Sequence, residues 1–118
     1  MEFSPQVMDR AAGVLVGQAV GDALGVPYEF AAPIRAGDAR MVGGGLGPYE
    51  PGEWSDDTQM AVCVARVAAS GTRLTRSDAL DAVAAAFIDW KHNAASDIGN
   101  QTATVLEMAS RHDGVGLG

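Results

Sequence analysis

The chain has 118 residues, enough for one small domain with its own core. With 47% hydrophobic and 19% charged residues it is a core-forming sequence, which argues against a disordered segment. A formal net charge of −7 argues against general attraction to nucleic acid or to an anionic membrane, so an anionic ligand would need a mediating cation.

The apolar share leans on Ala and Val with only 6% aromatics, which favours close-packed helices over a β-sandwich. The single cysteine, Cys63, sits in an apolar helical run and cannot form an internal disulfide. It reads as a small core residue in a reducing compartment. No run of eighteen apolar residues exists to span a membrane, and Met1-Glu2-Phe3-Ser4 lacks the basic start of a secretory leader. A cytoplasmic location is expected.

Ser4 and Pro5 open the first element, Ser4 as cap and Pro5 at the first helical position. Val7, Ala11, Val14, Leu15 and Ala19 follow at near-helical spacing and predict a helix ending near Gly25. Gly13, Gly17 and Gly21 form a small-residue stripe that would let another helix approach closely, and the charged and polar neighbours argue against lipid. Gly25 reads as a C-cap, with Pro27 stopping continuation. Glu29 lies between Tyr28 and Phe30, a poor place for a carboxylate without a partner; the simpler alternative is a surface Glu flanked by rings that pack inward.

Residues 31–53 are irregular and rich in Gly and Pro, a loop length that is functional or mobile in a compact domain. Gly43-Gly44-Gly45 superficially looks like a phosphate cradle but lacks the Lys-Ser/Thr ending of a P-loop. A second helix is predicted from about 57 to 70, with Met60, Val64, Val67 and Ala68 along one side, largely buried and closed by Gly71. In the third, Thr75 is the expected cap and Asp78 the first-turn acid. Leu80, Val83, Ala84, Phe87 and Ile88 are its apolar face. His92 near its end reads as a solvated or dipole-complementing residue, with metal ligation the alternative. A fourth helix is predicted from about 100 to 111, with Asp97 a possible cap, followed by a Gly-rich tail that resembles a loop cut short. No internal repeat or interdomain linker interrupts the pattern.

The stretch that carries chemistry is Trp54-Ser55-Asp56-Asp57-Thr58, at the junction between the Gly/Pro-rich loop and an apolar helix. Adjacent carboxylates repel one another and resist burial, so donors or a cation must compensate. The run offers several oxygens within one turn, which suits a hard divalent ion. Helix capping by either Asp is the simpler alternative.

Three segments in order, Gly17 to Gly25 with Glu29, Trp54 to Thr58, and Asp97-Ile98-Gly99 with Thr102, closely resemble the N-terminal part of the ADP-ribosylglycohydrolase family. The resemblance covers residues 8–110. It implies an all-α, compact orthogonal helical bundle, of which residues 1–118 are the N-terminal part of a single domain: about four helices and the long loop. It implies a metal-dependent hydrolase that cleaves the ribosyl glycosidic bond of ADP-ribosylated proteins or small molecules, with two divalent cations, Mg²⁺ or Mn²⁺. Ser55, Asp56, Asp57 and Glu29 match the metal ligands; Asp97 and Glu29 are the expected catalytic carboxylates; Gly99 and Asn100 are expected to contact substrate. Asp22 is expected to be structural.

The resemblance also has a gap. The family's second acidic metal motif, roughly Asp-Thr-Asp-Thr, and its mid-chain Gly/Asn-rich segment do not occur in this sequence. The expectation is therefore half of a binuclear site, completed by a missing C-terminal segment or a companion chain. The alternative is a catalytically inactive ADP-ribose-binding, nucleotide-binding or helical interaction module.

Overall fold

The computed structural model describes residues 2–111. Regular structure among them is entirely helical: α1 Pro5–Gly25, a 3₁₀ turn at Val26–Tyr28, α2 Asp56–Ala69, α3 Ser77–Asn93 and α4 Asn100–Arg111. This is the all-α class that composition and spacing predict, with helix ends within one or two residues of those expected. No described helix is long and apolar enough to cross a membrane. The residues up to Thr58 form one compact unit and those from Gln59 a second, the boundary falling in the first turn of α2.

In the first unit, α1 starts as the sequence dictates. The Ser4 hydroxyl accepts the Val7 N–H at 3.3 Å, and Pro5 occupies the first turn. The end differs from expectation. Gly25 is right-handed (φ −80°) and not a left-handed cap; the Val26 N–H returns to the Asp22 carbonyl and the chain tightens into a 3₁₀ turn. The fixed φ of Pro27 suits that turn, so the proline continues the coil for three residues before it stops. The Tyr28 hydroxyl then accepts the Arg40 N–H at 2.9 Å, tying the long loop back to α1. Phe30 corrects another expectation: it adopts φ +57° and is 90% exposed, so its ring does not pack inward.

The glycine stripe on α1 is not a packing surface among the described residues. A Cβ at Gly13, Gly17 or Gly21 would meet nothing within 4 Å. The triple glycine is structural. At Gly43 a Cβ would lie 2.5 Å from the Tyr49 carbonyl, and at Gly45 it would run into the Val26 carbonyl. All three glycines have positive φ, and the Gly44 N–H is already bonded to the Tyr49 carbonyl at 2.8 Å. The loop thus folds on its own backbone and on the end of α1.

In the second unit, α2 ends with Gly71 at φ +89°, as expected. Its apolar side chains are mostly half-buried and Ala68 is exposed, so α2 is less enclosed than the spacing suggests. Thr75 does not cap α3. It belongs to a turn closed by the Arg76 N–H on the Arg73 carbonyl, and Arg76 precedes the helix without a side-chain cap. Asp78 supports the first turn instead, accepting the Ala79 N–H at 3.0 Å. Along α3, Ala79 and Trp90 are buried, while Leu80, expected on the apolar face, is 51% exposed. The two helices α3 and α4 pack together, and Leu106 of α4 is buried. Cys63 is half-buried as anticipated; burial pushes its thiol up, Arg66 pulls it down and Asp89 adds to the rise, leaving it above the ordinary value. Such a thiol stays protonated and weakly nucleophilic.

The loop geometry makes a prediction. Gly45→Ala combines left-handed strain with a backbone clash and is expected to destabilise by about 3 kcal/mol. Gly44→Ala, in open space at φ +75°, should cost about 1 kcal/mol, the left-handed penalty alone. Paired denaturant melts check this; equal midpoints would contradict it.

Candidate functional site

Asp22, on the last turn of α1, gathers the start of α2. Its Oδ1 accepts the Ser55 hydroxyl at 2.6 Å. Its Oδ2 accepts the Ser55 N–H at 2.9 Å, the Thr58 N–H at 3.0 Å and the Thr58 hydroxyl at 2.6 Å. Ser55 and Thr58 are only 5% and 4% exposed. The carboxylate acts as an N-cap supplied from another helix, meeting the unpaired N–H groups and positive end of α2. Burial pushes the Asp22 carboxyl up, but hydrogen bonds from both hydroxyls and both N–H groups outweigh it and hold its pKa below the ordinary carboxylate value.

This geometry bears on the Ser-Asp-Asp-Thr run. Asp56 and Asp57 are the first two residues of α2 and complement its dipole from within the first turn. The cap is Asp22. Because a carboxylate only accepts, the Ser55 and Thr58 hydroxyls must donate to it. Their oxygen lone pairs are left for another acceptor role. Gln18, one turn before Asp22 on the same face of α1, donates to the Asp57 carbonyl at 3.3 Å and adds a second tie.

An open cleft of about 570 Å³ lies against this junction. Gln18, Asp22, Glu29, Ser55 and Asp57 supply its polar lining, and Gly17, Gly21 and Gly25 keep one wall low. The stripe on α1 thus borders a cleft where a helix neighbour was expected. Three of the four expected metal-site residues, Glu29, Ser55 and Asp57, meet there; Asp56 is half-buried beside it without lining it. Among the described residues no three His, Cys, Asp or Glu side chains converge closely enough to hold a metal ion.

The remaining expected residues belong to the second unit. Asp97 is exposed in the loop before α4, and its Oδ1 accepts the Ile98 N–H at 2.9 Å, so it does not cap the helix. The exposed Gly99 accepts the Ala103 N–H at 2.9 Å through its carbonyl, and Asn100, also exposed, is the first residue of α4. His92 is exposed in the last turn of α3, in keeping with the dipole-complementing reading. One residue with no assigned role in the sequence reading takes part in the junction: Gln18, visible as the i−4 neighbour of Asp22.

Replacing Asp22 by Ala leaves two buried hydroxyls and two N–H groups without their acceptor, and a loss on the order of 3 kcal/mol at pH 7 is expected. The pH dependence has a definite sign. With a folded-state pKa below the unfolded one, the contribution of Asp22 is full above the unfolded value and is lost as pH falls through the folded one. The stability gap between the parent and Asp22→Asn should therefore narrow below about pH 4, near the reference carboxylate pKa. Urea melts from pH 7 to pH 2.5 read this directly; a gap that widens in acid would contradict it.

The sequence profile of the ADP-ribosylglycohydrolase family matches residues 4–116. Among curated proteins the chain is similar to ADP-ribosylarginine hydrolase Tri1 of Serratia proteamaculans (strain 568), 38% identical over 112 residues, covering 89% of this chain and 30% of that protein. The Tri1 hydrolase of Pseudomonas putida (strain GB-1) is 39% identical over 118 residues, covering 94% and 30% respectively. The ADP-ribosyl-[dinitrogen reductase] glycohydrolase of Rhodospirillum rubrum is 37% identical over 102 residues, covering 81% and 33%. The chain spans about a third of the length of these relatives. By the extent of the profile match, it belongs to the ADP-ribosylglycohydrolase family.

Proposed function

We propose that the chain supplies half of the binuclear metal site of a hydrolase that cleaves the ribosyl glycosidic bond of ADP-ribosylated proteins or small molecules. The observation that carries the reading is the Asp22 junction. By accepting hydrogen bonds from the Ser55 and Thr58 hydroxyls, it leaves the Ser55 oxygen lone pairs available in a cleft that Glu29 and Asp57 also line. An all-oxygen set of this kind fits Mg²⁺ or Mn²⁺ better than a thiophilic ion. Glu29, Ser55 and Asp57 would hold the cations from the cleft, with Asp56 beside them. When bound, the cations orient ribose hydroxyls, lower the pKa of bound water and let a chain of net charge −7 accept a pyrophosphate.

The chain's own residues supply the rest of the chemistry. Cleavage builds positive charge at the anomeric carbon, and a nearby carboxylate stabilises it or takes a proton from the attacking water. Asp97 is assigned that role: its Oδ1 accepts the Ile98 N–H, which orients the carboxylate. Glu29 is assigned to the cleft as both metal ligand and second acid. Gly99 and Asn100, flanking the start of α4, are assigned to substrate contact. Two relatives are named for ADP-ribosylarginine, so ADP-ribosylated arginine in a protein is the first substrate to assay. A cytoplasmic location accords with the single protonated thiol.

One observation favours the alternative of a catalytically inactive ADP-ribose-binding or nucleotide-binding module for the chain in isolation. No three His, Cys, Asp or Glu side chains among the described residues are grouped so as to hold a metal ion. Oxygen ligands from one half would leave cations largely hydrated and weakly held.

Asp57→Ala, in the assembly that completes the fold, is expected to abolish metal-dependent release of ADP-ribose while the helical circular dichroism stays unchanged. Turnover equal to the parent would overturn the reading. The native mass of the purified chain is the companion measurement. A co-purifying polypeptide should coincide with activity on ADP-ribosylated arginine, and the chain running alone should bind Mn²⁺ no more tightly than the millimolar range typical of sparse oxygen sites.

A further inference from the structure

Gln59 follows Thr58 in the first turn of α2 and belongs to the second unit. Its side-chain Oε1 accepts the indole N–H of Trp90 at 2.8 Å and the backbone N–H of Ser96 at 3.4 Å. Its Nε2 donates to the Ser96 hydroxyl oxygen at 3.0 Å. Trp90 is 4% exposed, and its indole N–H can only donate. The carbonyl side of the amide must therefore face Trp90, which fixes the flip of the whole group and turns its NH₂ toward Ser96. One amide thus satisfies the polar tip of a core tryptophan and grips both the backbone and the side chain of the residue immediately before Asp97.

We propose that Gln59 is the positioning residue that sets the Asp97 loop, holding that carboxylate in the register needed for glycosidic hydrolysis. The inference rests on the role assigned to Asp97 in the proposed function. The loop from Ala94 to Gly99 is short and largely exposed, so few apolar contacts fix it. The Gln59 bonds to Ser96, the Ala95 N–H on the Trp90 carbonyl at 2.9 Å and the Asp97–Ile98 bond orient it. Loss of the Gln59 grip removes two of the bonds that orient the loop, and misplacement of a catalytic carboxylate costs turnover more than binding.

The test compares Gln59→Met with the double variant Gln59→Met/Trp90→Phe in the active assembly. Methionine removes both grips on Ser96 and leaves the indole N–H orphaned in the core; phenylalanine then removes that orphan donor. Expected are a kcat reduced on the order of 10- to 100-fold with KM within about twofold of the parent in both variants. Thermal stability should fall in the single variant and recover in the double. Amide exchange at Ser96 and Ile98, measured on the chain itself, should accelerate in both. If kcat recovers together with stability, or if exchange at Ser96 and Ile98 is unchanged, the positioning role is overturned. An active parent whose variants turn over at full rate overturns this inference alone. A parent with no glycohydrolase activity overturns the proposed function and takes the catalytic role of Gln59 with it.

Discussion

A carboxylate at the end of a helix is in the wrong place by local rules, because the helix dipole disfavours negative charge there. Asp22 occupies that position at the end of α1 and is nonetheless held ionised below the ordinary carboxylate range. The resolution lies in the other helix: the N-terminus of α2 brings two backbone N–H groups and two hydroxyls to one carboxylate. The negative end of one helix and the positive end of another are joined through a single side chain. Charge-assisted bonds of this kind are short and roughly twice as strong as neutral ones, so the junction sets where Ser55, Asp56 and Asp57 stand. A residue that violates its local preference and is compensated by a specific network is what a site-building residue is expected to be.

The same logic explains why Ser55 and Thr58 are a serine and a threonine. Alanine at either position would keep the helix but lose the donor that Asp22 needs, and a carboxylate or amide would not fit a side chain that is almost fully buried. Asp56 and Asp57 both stand in the first turn of α2, where the helix dipole favours negative charge. Within the second unit Gln59 has the corresponding task. Its amide answers the buried Trp90 and in doing so reaches the loop that carries Asp97.

The helices were legible because apolar spacing and caps act locally. Ser4-Pro5 and the Asn100–Arg111 run needed no tertiary information, and the observed ends agree. Where local signals competed, the structure chose by tertiary contact. Gly25 and Pro27 looked like a stop, yet the 3₁₀ turn they form is what lets Tyr28 reach Arg40. Thr75 looked like a cap but was consumed by the preceding turn. Leu80 and Phe30 face outward for a reason no periodicity could reveal, since which face is covered depends on what packs against it. In the site, the motif residues were readable from the resemblance. The agent that organises them was read as a support weighted towards a structural role, because a four-donor carboxylate depends on contacts between residues 33 and 36 positions apart.

The exposed apolar surface and the incomplete ligand set have one explanation under the proposed function. Met8, Val14 and Val16 on α1 are all more than half exposed, and the chain covers about a third of its curated relatives. A fold that contributes only part of a core and part of a metal site cannot optimise either alone. Apolar burial by the remaining segment would supply the driving force for assembly, and its oxygens would replace water around the cations. The two events are then thermodynamically linked: cations that bind the assembled state more tightly stabilise the assembly by the same free energy. In that reading Asp22 would carry the linkage, since its four hydrogen bonds already hold the Ser55–Thr58 turn. Under the proposed function, hydrogen bonds to Asp22 would order this part of the site and the cations would complete it.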